Sequence, residues 1–235
     1  MSDDNLIQRT AQGWWVLKRD THFSRWIEQA QRLDHDQPVL QKLAPYIEPG
    51  TTVLDIGAGL GTHTRFYLDR GGRVIAFEPH PLQFECLIRN CPQAYCYPYA
   101  VGETDDEAWL FVEPDMAGSS RLVEQASDGL ITKVKRIRID DDRLLTKSVS
   151  VSFMKIDVEG CEPEVLRGAK ELIARDRPAI WMEVNPEALR QQKHSPDELA
   201  QVVAELGYRV KEFYPPGSDW NGCQGAQCDI LCLPQ

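Results

Sequence analysis

The chain has 235 residues, 42% of them hydrophobic, and a formal net charge of −10. That length and apolar content suffice for one enzyme-sized core, while the acidic balance argues against unaided binding to long nucleic acid. No stretch approaches the roughly 20 apolar residues of a membrane span, and the opening MSDDNLIQRT lacks the basic and apolar regions of a signal peptide, so a cytoplasmic location is expected.

Residues 1–50 read as an N-terminal helical cap ahead of a domain over 51–235. Gly13 to Leu17 fits a short strand, Phe23 to Leu33 and Pro38 to Ile47 fit amphipathic helices, and Pro49-Gly50 turns the chain into the first main strand. From there strands alternate with helices, which predicts an α/β domain with a mostly parallel sheet covered on both faces. Val53, Leu54 and Ile56 form a buried strand, Gly57, Gly59 and Gly61 a turn, Thr62 to Arg70 a helix, and Val74 to Phe77 a second strand ending on Glu78. Ala94 to Val101 fits a third strand, and Ala108 to Val112 with Lys133 to Ile139 an antiparallel excursion joined by a loop from Glu113 to Ile131. Strand four is expected over Val149 to Asp157, with a helix from Pro163 to Arg175, and strand five over Ala179 to Val184, with a helix from Pro196 to Leu206. Tyr208 to Tyr214 and Cys228 to Leu233 fit a closing hairpin.

The segment VLDIGAGLGTHTRFYLDRGGRVIAFEPH, residues 53 to 80, places an acid, a glycine turn, a helix and a second acid in the order that an adenosyl cofactor needs. A strand, turn and helix let backbone approach a ligand and offer helix N-terminal N–H groups to an anion. The dinucleotide fingerprint G-x-G-x-x-G is not met, because the third glycine comes one position early and Asp55 stands before the turn. A carboxylate there repels a pyrophosphate but can pair, directly or through water, with the ammonium of a methionine moiety. Thr62 and His63 can receive the methionine carboxylate, and Glu78 can accept hydrogen bonds from both ribose hydroxyls. S-adenosylmethionine fits all three charges, whereas NAD fits only Glu78.

The second informative segment is FMKIDVEGCEPEVLRGA, residues 153 to 169. A central parallel strand is usually apolar on both faces, yet this one turns charged at its carboxyl end with Lys155, Asp157 and Glu159, where ligands of open α/β sheets bind. Asp157 and Glu159 share a strand face if the strand persists that far. Glu162 reads as a partner of the positive end of the next helix.

With these two segments, AFEPHP and IRIDDDRLL at 137 to 145, the chain resembles the FkbM family of S-adenosylmethionine-dependent methyltransferases over roughly residues 50 to 185. The resemblance implies a class I, Rossmann-like methyltransferase fold with a seven-stranded sheet whose last strand is antiparallel. It also implies O-methylation of a hydroxyl on a sugar, glycan or secondary metabolite. Carried over by position, Asp55, Gly57, Gly59 and Gly61 hold the methionine end, Glu78 the ribose, and Ala100 and Val101 the adenine, with Ser119 and Ser120 also near the cofactor. In the related fold of metal-dependent O-methyltransferases, acids at the ends of strands four and five bind a divalent ion. The corresponding positions here are Asp157, Glu183 and Asn185, a set of hard oxygen ligands suited to Mg²⁺. Without a metal, Asp157, Glu159 or His63 has to serve as general base.

Other positions remain open. Trp14, Trp15, Trp26, His22 and His35 of the cap are candidates for contact with the acceptor, against the simpler reading that they pack a core. Seven cysteines, an odd number in a chain without an export signal, point to buried thiols rather than a disulfide framework. Cys223, Cys228 and Cys232 lack the paired spacing of a zinc knuckle, and Cys86, Cys91 and Cys96 fit one even less. A non-catalytic cofactor-binding module and an NAD-dependent oxidoreductase are the alternatives to a methyltransferase. Oligomeric state, a dimer included, is left open.

Overall fold

The structure is a computed structural model, and it describes residues 6–21, 24–25, 27, 37–113, 115–124, 130–141, 149–216, 218–223 and 226–235. Strands β1 (Ile7–Arg9) and β2 (Trp15–Leu17) pair as an antiparallel hairpin. Helix α1 (Gln37–Leu43) follows, and its α-helical course stops where Pro45, which has no N–H to donate, draws the chain into a 3₁₀ turn over Ala44–Tyr46. Next come β3 (Thr52–Ile56), α2 (Thr62–Asp69), β4 (Arg73–Phe77), α3 (Pro81–Asn90), β5 (Tyr95–Tyr97), β6 (Tyr99–Val101), β7 (Asp106–Phe111), β8 (Arg121–Val123) and β9 (Ile131–Ile137). The C-terminal half holds β10 (Phe153–Ile156), α4 (Glu162–Gly168), α5 (Lys170–Asp176), β11 (Ala179–Val184), α6 (Pro186–Gln191), α7 (Pro196–Glu205), β12 (Tyr208–Tyr214), α8 (Trp220–Cys223) and β13 (Cys228–Pro234).

Seven strands form the main sheet in the order β12-β13-β11-β10-β3-β4-β5. β11, β10, β3, β4 and β5 are mutually parallel, and the last strand, β13, inserts antiparallel between β11 and β12. Alternation along β3 divides the core into two layers. Val53 packs with Val39 and Leu43 of α1, Tyr67 of α2 and Leu87 of α3, whereas Leu54 and Ile56 pack with Val165 and Leu166 of α4 and Val202 and Val203 of α7. Both faces are therefore covered, as a parallel sheet requires, and every parallel strand ends on the same side.

Four expectations change. The third strand divides at Pro98, which cannot donate to a ladder: β5 stays in the main sheet, while β6 joins a second sheet of order β6-β9-β7-β8. Inside the loop expected from Glu113 to Ile131, β8 pairs with β7. The long helix expected to Arg175 breaks at Ala169, whose backbone (φ −117°, ψ 14°) leaves helical geometry, and Gly168 lets the break lie against Gly102, since a Cβ there would lie 2.0 Å from the Gly102 carbonyl oxygen. In the cap the expected strand is present as β2, but it pairs in a hairpin with β1, which was not foreseen, and the helix expected over Phe23 to Leu33 falls largely outside the described residues. Asn90 anchors this hairpin by accepting from the N–H of Trp15 (2.7 Å) and donating to the carbonyls of Trp15 (3.0 Å) and Leu60 (2.8 Å).

Candidate functional site

A cavity of about 670 Å³ opens at the carboxyl ends of β3, β4, β10 and β11, the place where open α/β sheets bind ligands. Its first arm is built mainly from backbone. Gly57 has φ +80°, and a Cβ there would lie 1.7 Å from the carbonyl oxygen of Asp157, so the turn after β3 can lie against the end of β10 only with glycine at this position. The N–H groups of Gly57 and Ala58 both donate to the Phe77 carbonyl (3.0 Å each), drawing the turn onto β4.

Glu78 closes this arm. Its Oε2 accepts from Gly59 N–H (2.7 Å) and its Oε1 from His80 N–H (2.8 Å). Burial pushes the carboxyl up to about 7 even against those two hydrogen bonds. Each oxygen keeps a lone pair, so the pair can still accept from two adjacent hydroxyls. Thr62 and His63, at the start of α2, line the same arm, His63 edge-on to Tyr67 at 6.2 Å. Ala100 and Val101 at the end of β6 add an apolar wall.

Two expected cofactor residues lie elsewhere. Asp55 is fully buried and does not line the cavity. It shares the face of Val53, which turns it toward α2, where its Oδ2 accepts from the Thr64 hydroxyl at 2.5 Å. Its Oδ1 is 3.8 Å from Lys155 Nζ, which donates to the Gly57 carbonyl (2.7 Å) and pairs with Asp157 (3.0 Å). Burial alone would lower the Lys155 ammonium, but Asp157 and Asp55 more than offset it and raise it. Asp55 is therefore a brace beneath the turn rather than a direct partner for an ammonium. Gly61, with φ +90°, also faces away; a side chain there would meet Leu87 Cδ1 at 2.8 Å and Cys91 Sγ at 2.9 Å, so it sets how closely α2 approaches α3.

His80 is a residue the sequence reading passed over. Its Nδ1 accepts from the N–H groups of Leu82 (3.1 Å) and Gln83 (3.3 Å), capping α3. A neutral ring that accepts at Nδ1 carries its proton on Nε2, and burial, which lowers the ring to about 4, keeps it neutral. That Nε2 is buried without a hydrogen-bond partner among the described residues, and His80 lines the cavity. The legible signal was a side chain able to cap, directly before Pro81.

The second arm is built from side chains. Asp157, Glu159 and Glu183 each offer a carboxylate oxygen within 4.8 Å of the others. The strand does not persist to Glu159, since β10 ends at Ile156. Glu159 reaches the wall through a left-handed turn (φ 53°), followed by Gly160 (φ 98°), where a Cβ would lie 2.3 Å from the Ala188 carbonyl. Glu162 holds that turn by accepting from the N–H groups of Val158 and Gly160 (3.2 Å each). Burial pushes Glu159 up to about 8, with the Asp157 and Glu162 charges adding to it. Burial and then Asp157 and Glu159 raise Glu183 as well.

Asn185 lines the cavity, but its Oδ1 caps α6, accepting from Glu187 N–H (3.1 Å) and Ala188 N–H (3.2 Å). Glu159 thus stands in the acid group where Asn185 was expected. Three crowded carboxylates are a hard donor set that fits Mg²⁺.

The roof joins the cap to the β7–β8 connection, with both the Thr21 N–H (2.9 Å) and hydroxyl (3.0 Å) donating to the Asp115 carbonyl. Ser119 and Ser120 line the cavity from that connection. Trp14 and Trp15 do not line it; they pack against Ile7, Val16, Leu60 and Cys86. His22, Trp26 and His35 lie outside the described residues. The expectation of thiols alone is corrected at Cys223 and Cys228. The β12–β13 connection brings their Cα atoms to 5.7 Å, within disulfide reach, and they form a disulfide, which removes them from any zinc set with Cys232. No helix among the described residues is long and apolar enough to cross a membrane.

The strand order, the single antiparallel last strand and the glycine turn facing Glu78 define the class I S-adenosylmethionine-dependent methyltransferases. Residues 55–210 match the methyltransferase FkbM domain, and the chain belongs to that family. A curated relative, Methyltransferase 1 of Beauveria bassiana (strain ARSEF 2860), is 26% identical over 143 residues. That alignment takes in 49% of this chain and 57% of the relative, so the chain spans little more than half of that relative's length. Among solved structures, methyltransferase FkbM from Methylobacillus flagellatus KT is similar with a TM-score of 0.51 at 15% identity, covering 90% of this chain and 62% of that one. Magnesium protoporphyrin IX methyltransferase from Synechocystis PCC 6803, with bound S-adenosylmethionine, gives 0.51 at 11% identity over 92% of this chain and 93% of its own. At those identities both similarities concern the fold.

Proposed function

We propose that this chain transfers the methyl group of S-adenosylmethionine to a hydroxyl of a sugar, glycan or secondary metabolite. The observation that carries the reading is one cavity whose two arms are a glycine turn closed by Glu78 and a group of three carboxylates. In this reading Gly57, Gly59 and Thr62 receive the methionine end, Glu78 the ribose hydroxyls, and Ala100 and Val101 the adenine. His80 Nε2–H is a further donor to the cofactor.

The acceptor oxygen attacks the sulfonium methyl in line. The O–C bond forms as the C–S bond breaks, S-adenosylhomocysteine leaves, and the hydroxyl proton passes to a base on the enzyme. Glu159 suits that role because its carboxyl, pushed up to about 8, holds a proton far better than an ordinary glutamate. Asp157 and His63 are the other candidates, since both line the cavity. Holding two reactants in line supplies about 7–11 kcal/mol of such a barrier.

The crowding of Asp157, Glu159 and Glu183 favours a second form of the same reading, in which the three hold Mg²⁺. A bound cation supplies a lower pKa to a hydroxyl beside it. With the three acids so occupied, His63, which also lines the cavity, would be the residue left to take the proton.

Thermal unfolding with S-adenosylmethionine, S-adenosylhomocysteine or NAD, each with and without Mg²⁺, tests the proposal. Ligand at 100 times its dissociation constant adds about 2.7 kcal/mol, or roughly 5–11 °C in a chain of this size. A shift with the methyl donor and its product is expected; a shift with NAD alone would select the oxidoreductase alternative. Binding without turnover against any hydroxyl acceptor would favour the non-catalytic module.

A further inference from the structure

One cation in the cavity wall makes no side-chain hydrogen bond or ion pair among the described residues. Gly118, Ser119, Ser120 and Arg121 line the cavity in succession, and Arg121 opens β8 opposite Phe111 of β7. Its guanidinium lies over the Phe111 ring, 5.0 Å from the centroid. A cation–π contact of this kind holds the group by its face and leaves the in-plane N–H fork uncommitted. Among the described residues Arg121 makes no side-chain hydrogen bond or ion pair. Lys155, another cation of the wall, is spent on the Gly57 carbonyl, Asp157 and Asp55.

The surroundings make that fork unusual. The wall carries Asp157, Glu159, Glu183 and Asp229; the charge of Arg121 is felt at Glu159, yet it forms a direct ion pair with none of them. The Ser120 Oγ accepts from Glu113 N–H at 3.1 Å, which leaves its own proton to donate outward. Ser119 stands beside it on the wall. Two hydroxyls and a pre-oriented guanidinium form a donor set for a planar or tetrahedral anion. Closing a neutral ligand over this set would strand a charge away from water, which is costly, whereas an anionic group would satisfy it.

We propose that Arg121, with Ser119 and Ser120, binds a carboxylate or phosphate carried by the acceptor, so that the substrate is an anionic hydroxy compound, a sugar acid or sugar phosphate. The inference rests on the methyl-transfer reading of the cavity and assigns it a bipolar acceptor end. The anion sits at Arg121, and the reacting hydroxyl lies toward Asp157 and Glu159. Ser119 and Ser120 then belong to the acceptor and not to the cofactor.

The test titrates glucose, glucuronate and glucose 6-phosphate into the protein, with and without saturating S-adenosylhomocysteine, for the unaltered chain, Arg121→Gln and Arg121→Lys. Binding of S-adenosylhomocysteine is measured separately and reports on the underlying reading alone. One anionic sugar should bind about tenfold or more tighter than glucose, and whether it is the uronate or the phosphate identifies the group. Arg121→Gln should abolish that preference while leaving S-adenosylhomocysteine affinity within about twofold, and Arg121→Lys should restore only part of it, since an ammonium lacks the two-pronged fork. Equal or absent binding of all three sugars, or a preference that survives Arg121→Gln, would overturn the proposal.

Discussion

The turns that follow β3 and β10 touch, yet they are made in opposite ways. The first is backbone: three positive-φ glycines, two N–H groups on the Phe77 carbonyl, and a carbonyl held by Lys155. The second is side chain: Asp157 and Glu159 project into the cavity from a left-handed turn held by Glu162. A backbone site presents fixed dipoles whose charge does not change with pH, which suits holding a cofactor. A site of crowded carboxylates can exchange a proton or receive a cation, which suits the chemistry. Lys155 links the two, touching the Gly57 carbonyl on one side and Asp157 on the other.

The comparison breaks most severely at their contact. Gly57→Ala must place a methyl 1.7 Å from the Asp157 carbonyl oxygen at φ +80°. The expected loss is about 3 kcal/mol or more of stability, a fall in melting temperature of roughly 6–12 °C by calorimetry, together with loss of S-adenosylhomocysteine binding. Glu159→Gln acts on the other turn alone. It should lower kcat about 100-fold or more while leaving S-adenosylhomocysteine affinity near that of the unaltered enzyme, as steady-state rates and titration calorimetry would show.

Glu78→Gln reverses that pattern. If Glu78 accepts from the two ribose hydroxyls as proposed, replacing its carboxylate should weaken S-adenosylhomocysteine by about 10- to 100-fold, and an unchanged dissociation constant would remove Glu78 from the cofactor site.

The pH dependence acts on both arms, and its effect is smaller. Glu78 and Glu162 are raised to about 7 and Glu159 to about 8, from ordinary values near 4.5. An acid whose pKa is raised by folding binds more protons in the folded chain than in the unfolded one. Its stabilising contribution is therefore complete below about 4.5 and is lost as pH rises through the folded value. The melting temperature without ligand should fall between pH 5 and pH 8. If Asp157, Glu159 and Glu183 hold Mg²⁺, millimolar Mg²⁺ should recover part of that fall at pH 8 and little at pH 5, because protonated acids do not bind a cation. With Glu159 as base and no metal present, activity should rise with pH through about 8.

How far the sequence revealed these turns follows from what each is made of. Apolar strands flanking a glycine run are a local pattern, so β3, α2 and β4 were legible, as was Glu78 at the strand end. The role of Asp55 was not, because its environment is supplied by Thr64 across a helix and Lys155 from another strand. Glu159 was placed on the right wall for the wrong reason, since strand alternation does not foresee a left-handed residue. The break at Pro98 was present in YCYPYAV, but β6 takes its ladder from β9, distant in sequence. Arg121 drew no notice because its significance lies in missing a partner, which only the surrounding wall discloses.

The central claim is that one cavity holds the adenosyl cofactor on its backbone turn and presents the methyl group to the carboxylate turn. A crystal structure with S-adenosylhomocysteine tests this most directly. Both ribose hydroxyl oxygens should lie within about 2.6–3.2 Å of the Glu78 carboxylate, with the sulfur directed toward Asp157 and Glu159. Cofactor bound elsewhere, or bound with its sulfur turned away from the acids, would contradict it.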